Sequence, residues 1–372
     1  MGSVRARSFR RDRRGWLRGA PPPRWIRALP PVLICTVAVV TLLSPGPLDI
    51  GFLLGAIPPL AVLSYGPLAT ALLGIVAVAV LIVPVFQLNR PGNTDLLTVC
   101  FVALLSIFVS YVRSRRDAQL DLERTVAEAA QRAVVPEVPQ RVGQVRCAAL
   151  YRAAQHGTLV GGDFFDVREG PHGVRAVLGD VQGHGLAAVS SVALLLGAFR
   201  EAALDHPDLE SIVGRLDRRL LVDAAQNRRD ERFATAVLLD ISPEADLVRI
   251  VTCGHPPPLL LHDGTAREVG SAPWPPLGLG LPDASPHGEG AVRLRPGDRL
   301  VLASDGVWES RDASGAFYPL PERLAALAAE HGDDPEALAD QVWVDVLRFC
   351  GTTTVHDDVT VLVLAPDLAA PH

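Results

Sequence analysis

Cysteine is scarce and unpatterned in this chain of 372 residues. There are five, Cys35, Cys100, Cys147, Cys253 and Cys350, with no CxxC pair. With an odd count and two of them in apolar stretches, neither a disulfide framework nor a zinc site is indicated. A reduced setting for residues 117–372 follows. Lysine is missing altogether: all 35 basic residues are arginine. With the richness in Ala, Gly and Pro, that reads as codon bias of a GC-rich genome and carries no mechanism. A basic C-terminal part is missing too. Of the net charge of −6, residues 1–27 contribute +8, residues 28–116 contribute +2 and residues 117–372 contribute −16. So acidic a region argues against nucleic acid as a partner. No Ser, Cys or His sits in a triad-like arrangement, so a protein nucleophile is not indicated.

What the first third of the chain has instead is hydrophobic length. Four apolar stretches, about 25–43, 48–64, 66–86 and 94–112, each approach the ~20 residues that cross a bilayer. The second is the weakest, being short and interrupted by Pro58 and Pro59. A signal peptide would explain only the first. Nine arginines lie before or at the start of the first stretch and Arg113, Arg115 and Arg116 follow the fourth, while the short loops between offer only Arg90. The positive-inside rule then puts both ends in the cytoplasm and requires an even number of spans. No ionisable residue lies deep within a span, so no transport path is visible. The expected plan is a basic tail (1–27), a membrane region (28–112), a linker helix (113–138), a catalytic domain (139–366) and a tail (367–372), with the catalytic domain cytoplasmic.

The linker reads as a helix over 116–133. Leu122, Val126, Ala129 and Ala133 recur at helical spacing, Glu128 and Arg132 form an i,i+4 pair, and Pro136 and Pro139 end it. It is either a spacer or a surface on which two protomers pair. Beyond Pro139 the pattern changes to strands: 145–153, 163–167, 173–180, 233–241, 247–254, 257–263, 298–306 and 358–364. Helices come in pairs, 185–204 with 208–225 and 321–331 with 334–350. Runs of strands with grouped helices predict an α+β sandwich of antiparallel sheets rather than a βαβ parallel sheet.

Several strand ends carry acids. Asp163 opens one strand, Asp180 closes the next before Gly183 and Gly185, Asp305 closes RLVLASDG, and Asp357 and Asp358 open HDDVTVLVL. Taken singly, each is an ordinary turn or edge aspartate. Together, abutting apolar strands, they form the oxygen-rich ligand set that Mg²⁺ or Mn²⁺ prefers, since unpaired buried carboxylates are costly.

In order along the chain, GGDFFD, GDVQGHGLAA, FATA, CGHPPPLLL, PPLGL, SDGVWESRD and HDDVTVLVL resemble the metal-dependent (type 2C, PPM) protein phosphatases, in their bacterial SpoIIE-like branch, over about 135–366. The resemblance implies a two-sheet sandwich flanked by helices and two metal ions at one edge, Mn²⁺ or Mg²⁺. By position, Asp163, Asp180, Asp305 and Asp357 match the family's ligand aspartates, and the Val181 carbonyl adds a ligand. Asp180 is the bridging one; Asp180 and Asp305 would hold the water between the metals. Two ions roughly 3.5–4 Å apart lower that water's pKa and clamp the phosphoryl oxygens for in-line attack. In an extended strand Asp357 and Asp358 point oppositely, so only one joins the cluster. Gly162, Asp166, His184, Gly306 and Asp358 border the set without an assigned role. Asp166 would face away, and His184 falls four residues after Asp180, whereas the eukaryotic members have a histidine two after, where Gln182 stands here. His255 reads as a turn residue. The resemblance implies a phosphoserine or phosphothreonine protein substrate, an anti-anti-sigma-type regulator in this branch. Two alternatives stand beside it: a catalytically inactive membrane sensor or scaffold, and, from the likeness of GGDFF to GGDEF, a nucleotide cyclase.

Overall fold

The computed structural model describes residues 24–43, 50–83, 93–135, 137–152, 161–183, 185–227, 232–270, 272–280, 288–331, 333–351, 355 and 357–367. The chain divides into two compact units, Met1–Leu122 and Glu123–His372.

The first unit contains α1 (Arg24–Leu43), a 3₁₀ turn (Gly51–Ala56) leading into α2 (Ile57–Val62), α3 (Pro67–Ile82) and the front of α4 (Asn93–Val134). Prolines sit in the first turns of α2 and α3, where the missing N–H had no helical partner to lose. Val37, Leu54, Ile57, Ala77, Leu81 and Val99 pack inward. The outside is apolar as well: Leu68 is 82% exposed and Phe101 66%. Such a surface calls for lipid or another apolar cover. Trp25–Leu43 and Leu96–Leu120 are long and apolar enough to cross a bilayer, each with mean hydropathy 2.1. The expected second span is not a single helix. It is a 3₁₀ turn that passes directly into the six-residue α2, the change of helix type falling just before Pro58 and Pro59. The third, α3, has 16 residues, about 24 Å of helix.

Three bonds gather one end of this unit. The Tyr65 hydroxyl donates to the Arg27 carbonyl at 2.6 Å, Ser110 Oγ to the Tyr65 carbonyl at 3.4 Å, and Arg113 Nη1 to the Val62 carbonyl at 2.9 Å. The start of α1, the α2–α3 turn and residues 110–113 therefore lie at the same end. No break separates the fourth apolar stretch from the linker. Both belong to α4, 42 residues long, about 63 Å, because nothing between Tyr111 and Arg116 is Gly or Pro. The side chains of the expected Glu128–Arg132 pair lie outside the described residues.

The second unit is the expected sandwich. Its strands are β1 (Arg141–Val142), β2 (Val145–Arg152), β3 (Asp163–Gly170), β4 (Gly173–Val181), β5 (Ala234–Ile241), β6 (Leu247–Cys253), β7 (Leu259–His262), β8 (Thr265–Glu268), β9 (Gly290–Arg293), β10 (Arg299–Ala303) and β11 (Val359–Pro366). One sheet has six strands in the order β1-β2-β11-β10-β7-β8, the other five in the order β3-β4-β5-β6-β9. Every pairing between named strands is antiparallel. Helices α5 (Leu186–Asp205) and α6 (Leu209–Asn227) cover the five-stranded sheet, and α8 (Leu320–His331) and α9 (Pro335–Cys350) the six-stranded one. A one-turn helix, α7 (Asp305–Trp308), follows β10.

Strand alternation explains the layers. In β4, Val174, Ala176 and Leu178 point between the sheets, and Val177 and Val181 toward α5 and α6. In β11, Leu362 and Leu364 point between the sheets, and Val359, Val361 and Val363 toward α9. Both faces are covered, so these antiparallel strands read as continuous apolar runs. Each buried Val or Leu contributes about 1.5–3 kcal/mol. Leu186–Asp205 is also apolar enough to span a bilayer, but its inward face lies in this core beside Val177 and Leu238.

One buried ion pair fastens the helical layer. Arg175 on β4 is 1% exposed and stands across from Asp240 on β5. Its Nε donates to Asp240 Oδ1 at 3.0 Å, and Nη1 and Nη2 donate to the carbonyls of Ala203, His206 and Pro207. The guanidinium thus takes up carbonyls left over at the C-terminus of α5. Arg175→Ala strands Asp240 in the interior, with only the half-exposed Arg249 at 3.4 Å. Urea unfolding of the second unit should show a loss of about 3–5 kcal/mol; a change under about 1 kcal/mol would mean the pair holds nothing.

Candidate metal centre

Both sheets deliver acids to one edge. β3 and β4 pair in a register that sets Asp163 directly opposite Asp180. β10 and β11 pair Ala303 with Val361, which brings the residues after β10 beside those before β11. Asp305 does not end a strand, as the sequence suggested; it opens α7, with Ser304 between. Ser304 ends the ladder: its N–H still donates to the Thr360 carbonyl at 3.0 Å, but its hydroxyl accepts the return bond from Thr360 N at 3.0 Å and donates to the Asp358 carbonyl at 3.2 Å. The Thr360 hydroxyl on β11 in turn donates to Asp163 Oδ2 on β3, a bond from one sheet to the other.

Glycine makes the close approaches. A Cβ on Gly162 would collide with the Val181 carbonyl oxygen and an Asp180 carboxylate oxygen, and one on Gly306 with the Asp358 carbonyl. Bare backbone at 162 and 306 lets the segments meet. Gly161 is packed just as closely under the Asp358 carboxylate.

The electrostatics register the crowding. Burial first, then the charge of Asp180, holds Asp163 far above the usual carboxylate range; Asp358 and Asp305 add to it, against the Thr360 hydrogen bond. Burial, then Asp305, Asp357 and Asp358, pushes Asp180 up to about 7. Asp305 is raised by burial and then by Asp357. Among the described residues no three His, Cys, Asp or Glu side chains form a closed cation-holding group. The carboxylates share one field without converging on one point, and mutual repulsion is what such a set shows without a counter-charge. The donors are hard oxygens, and the Val181 carbonyl faces the same space as Asp180 across Gly162. That chemistry fits Mg²⁺ or Mn²⁺.

The other predicted residues separate cleanly. Asp357 is exposed, whereas Asp358 is 4% exposed, with its Oδ2 accepting from the Tyr151 hydroxyl. Asp166 faces away from Asp163 and is held by Arg200 at 2.6 Å and Arg168 at 3.0 Å. His184 lies outside the described residues. His255 is buried, its Nδ1 3.0 Å from Thr235 Oγ1, and burial pushes it down to about 3, so it is neutral. Thr235 stands opposite Asp180 across β4 and β5, so the FATA and CGHPPP motifs brace the site from behind. The PPLGL motif locks on as well: Leu277 and Ala234 exchange backbone bonds at 2.8 and 2.9 Å, and buried Asp217 of α6 accepts from Gly278 N at 2.7 Å. Sequence reasoning overlooked Tyr151, Asp217, Thr235, Ser304 and Thr360. A polar residue inside or beside an apolar strand was the available signal for most of them.

Two antiparallel sheets between helical layers, with acids from both at one edge, define a PP2C-type phosphatase fold. The family model for Stage II sporulation protein E (SpoIIE) matches residues 170–367, more than half of the chain, and the chain belongs to that family. Asp163 precedes the matched segment and is placed by its geometry. Among solved structures, the RsbU and RsbW domains of a Mycobacterium tuberculosis protein are 26% identical with a TM-score of 0.53, covering 64% of this chain and 64% of that one. The alignment thus spans under two thirds of the mycobacterial chain. The SiaA-PP2C domain of Pseudomonas aeruginosa is 19% identical with a TM-score of 0.52, covering 67% of this chain and 98% of that one; at that identity the likeness concerns the fold. The sandwich uses GGDFF to enter β3, so the nucleotide cyclase alternative falls.

Proposed function

We propose that this protein is a membrane-anchored, metal-dependent serine/threonine protein phosphatase that hydrolyses a phosphorylated regulatory protein. The observation that carries the reading is the delivery of Asp163, Asp180, Asp305 and Asp357 to one edge by both sheets. Asp163, Asp180, Asp305, Asp357 and the Val181 carbonyl would hold two divalent cations, Mn²⁺ or Mg²⁺. When bound, these supply an activated water and positive charge for the phosphoryl oxygens. The chain's own part is placement. Asp180 stands opposite Asp163, so the pair would hold the cations together; Thr360 orients Asp163; Tyr151 and Gly161 hold Asp358 beside the set as support. The presence of all four aspartates favours an enzyme over an inactive scaffold.

The membrane reading is supported by the apolar outside of the first unit and by its two long helices. Arg27, the α2–α3 turn and Arg113 lie at one end, as an even number of crossings with a cytoplasmic catalytic domain requires. The substrate assignment, a phosphoserine or phosphothreonine on an anti-anti-sigma-type factor, draws on the family and on a similar chain that carries RsbU and RsbW domains. A homodimer through α4 completes the proposal.

Activity against a chromogenic phosphate ester should require Mn²⁺ or Mg²⁺ and vanish with a chelator. Stability gives a second readout. Asp180 has a folded pKa of about 7 against 3.8 for an unperturbed side chain. The folded, metal-free protein therefore binds more protons than the unfolded chain between those values. Its stability falls as pH rises through that window, and Asp163 and Asp305 act with the same sign. Metal-free protein should melt lower at pH 8 than at pH 5, and Mn²⁺ should raise the midpoint more at pH 8. A midpoint indifferent to both pH and cation would overturn the site.

A further inference from the structure

Beside the carboxylates lies a cleft of about 560 Å³, within the size range of ligand pockets. Gly306, Val355 and Asp357 line it together with a wall formed by residues 309–315. That wall is a loop, yet it is tied down. Ser310 Oγ donates to the Gly306 carbonyl at 2.7 Å. Asp312 Oδ1 accepts from Ser314 N at 2.8 Å, Ser314 Oγ at 2.7 Å and Ala316 N at 3.0 Å. Arg311 pairs with Phe317 across the loop, its guanidinium 4.1 Å from the ring centroid. The cation is held in place from one face.

The charges along this wall alternate: Glu309, Arg311, Asp312. A nucleotide or another small polyanion would meet two carboxylates for one guanidinium. A peptide main chain is a better match, because each residue brings an N–H donor and a C=O acceptor. We propose that this cleft is a subsite for the polypeptide segment flanking the phosphorylated residue, with Arg311 as the positioning residue that orients it. The inference rests on the phosphatase reading and deepens it, since it makes the substrate class an extended phosphopeptide segment rather than a free small phosphoester.

The test compares full-length protein in lipid nanodiscs with Mn²⁺ on p-nitrophenyl phosphate and on alanine-based phosphothreonine peptides, from a single residue up to about nine. For the wild type, kcat/KM should rise with peptide length. Arg311→Ala, and Ala313→Trp, which fills the cleft from an exposed position, should each lower kcat/KM on the longest peptide about tenfold, mainly through KM. Turnover of p-nitrophenyl phosphate should stay within about twofold, and Arg311→Lys should recover part of the loss. Equal losses on both substrates, no loss on the peptide, or wild-type turnover indifferent to length would overturn the subsite. A wild type that hydrolyses neither substrate with Mn²⁺ would overturn the phosphatase reading, and the subsite with it.

Discussion

Asp180→Asn should lower phosphate-ester turnover by on the order of 10³-fold while raising the melting temperature of the metal-free protein. The two effects have one origin. Asp180 sits opposite Asp163 and feels Asp305, Asp357 and Asp358, so in the absence of cations its charge is a liability to the fold. Asparagine keeps the shape and removes that charge. The same charge is what would hold the cations that the proposed reaction needs. A substitution that merely damaged the fold would lower both quantities together. Measured at pH 8, where the carboxylate is mostly ionised, the melting midpoint should rise and the Mn²⁺-induced increment should shrink. Full activity in Asp180→Asn would remove the two-metal assignment whatever the melting curve showed.

The residues that explain this behaviour were legible in the sequence because aspartates at the ends of apolar runs are an expensive arrangement. The eight strands with long apolar stretches could be read off directly, as could the paired helices. The short pieces could not: β1, β8 and β9 have two to four residues each and carry too little pattern. Nor could α7, because a single turn closed by local backbone bonds is too short to show a period. Val307 N reaches the Ser304 carbonyl at 3.0 Å and Glu309 N the Asp305 carbonyl at 2.6 Å, with no periodicity for the eye to find. The continuity of α4 went unread for a different reason. A change of composition from apolar to charged near residue 113 looks like a boundary, although the backbone has no cause to stop there. Arg175 was passed over as one more strand arginine, yet it is among the largest fully buried side chains in the chain. Its partners, Asp240 and three carbonyls at the end of α5, come from far along the sequence, and no local signal announces them. Alternation said only that one of Asp357 and Asp358 joins the set and the family resemblance pointed to Asp357; in the structure Tyr151 and Gly161 claim Asp358.

Leu122→Asp combined with Val126→Asp should abolish any dependence of turnover on protein concentration, with a change of about 5- to 150-fold in activity at a fixed concentration, the size of a coupling of about 1–3 kcal/mol. Both side chains are exposed on α4, 64% and 46%, one turn apart, where apolar groups gain nothing from water and would be covered by a second copy of the helix. The far end of α4 is fastened to the catalytic unit. Ala130 and Val134 pack on Val189 near the start of α5, and Arg200, paired with Asp166, donates to the Val134 carbonyl at 3.4 Å. Helix α5 itself follows Asp180 and Val181 through the turn at Gly183 and Gly185, whose φ values are 106° and 76°. A change in how α4 is held therefore arrives at the first turn of α5, eight residues along the chain from Val181. Fragments beginning near residue 114 and near residue 140 provide the comparison. Both should keep cation-dependent activity, but only the longer one should gain turnover per molecule as concentration rises, and the double aspartate variant should make it behave like the shorter. Flat, superimposable profiles from all three would show α4 to be a passive spacer.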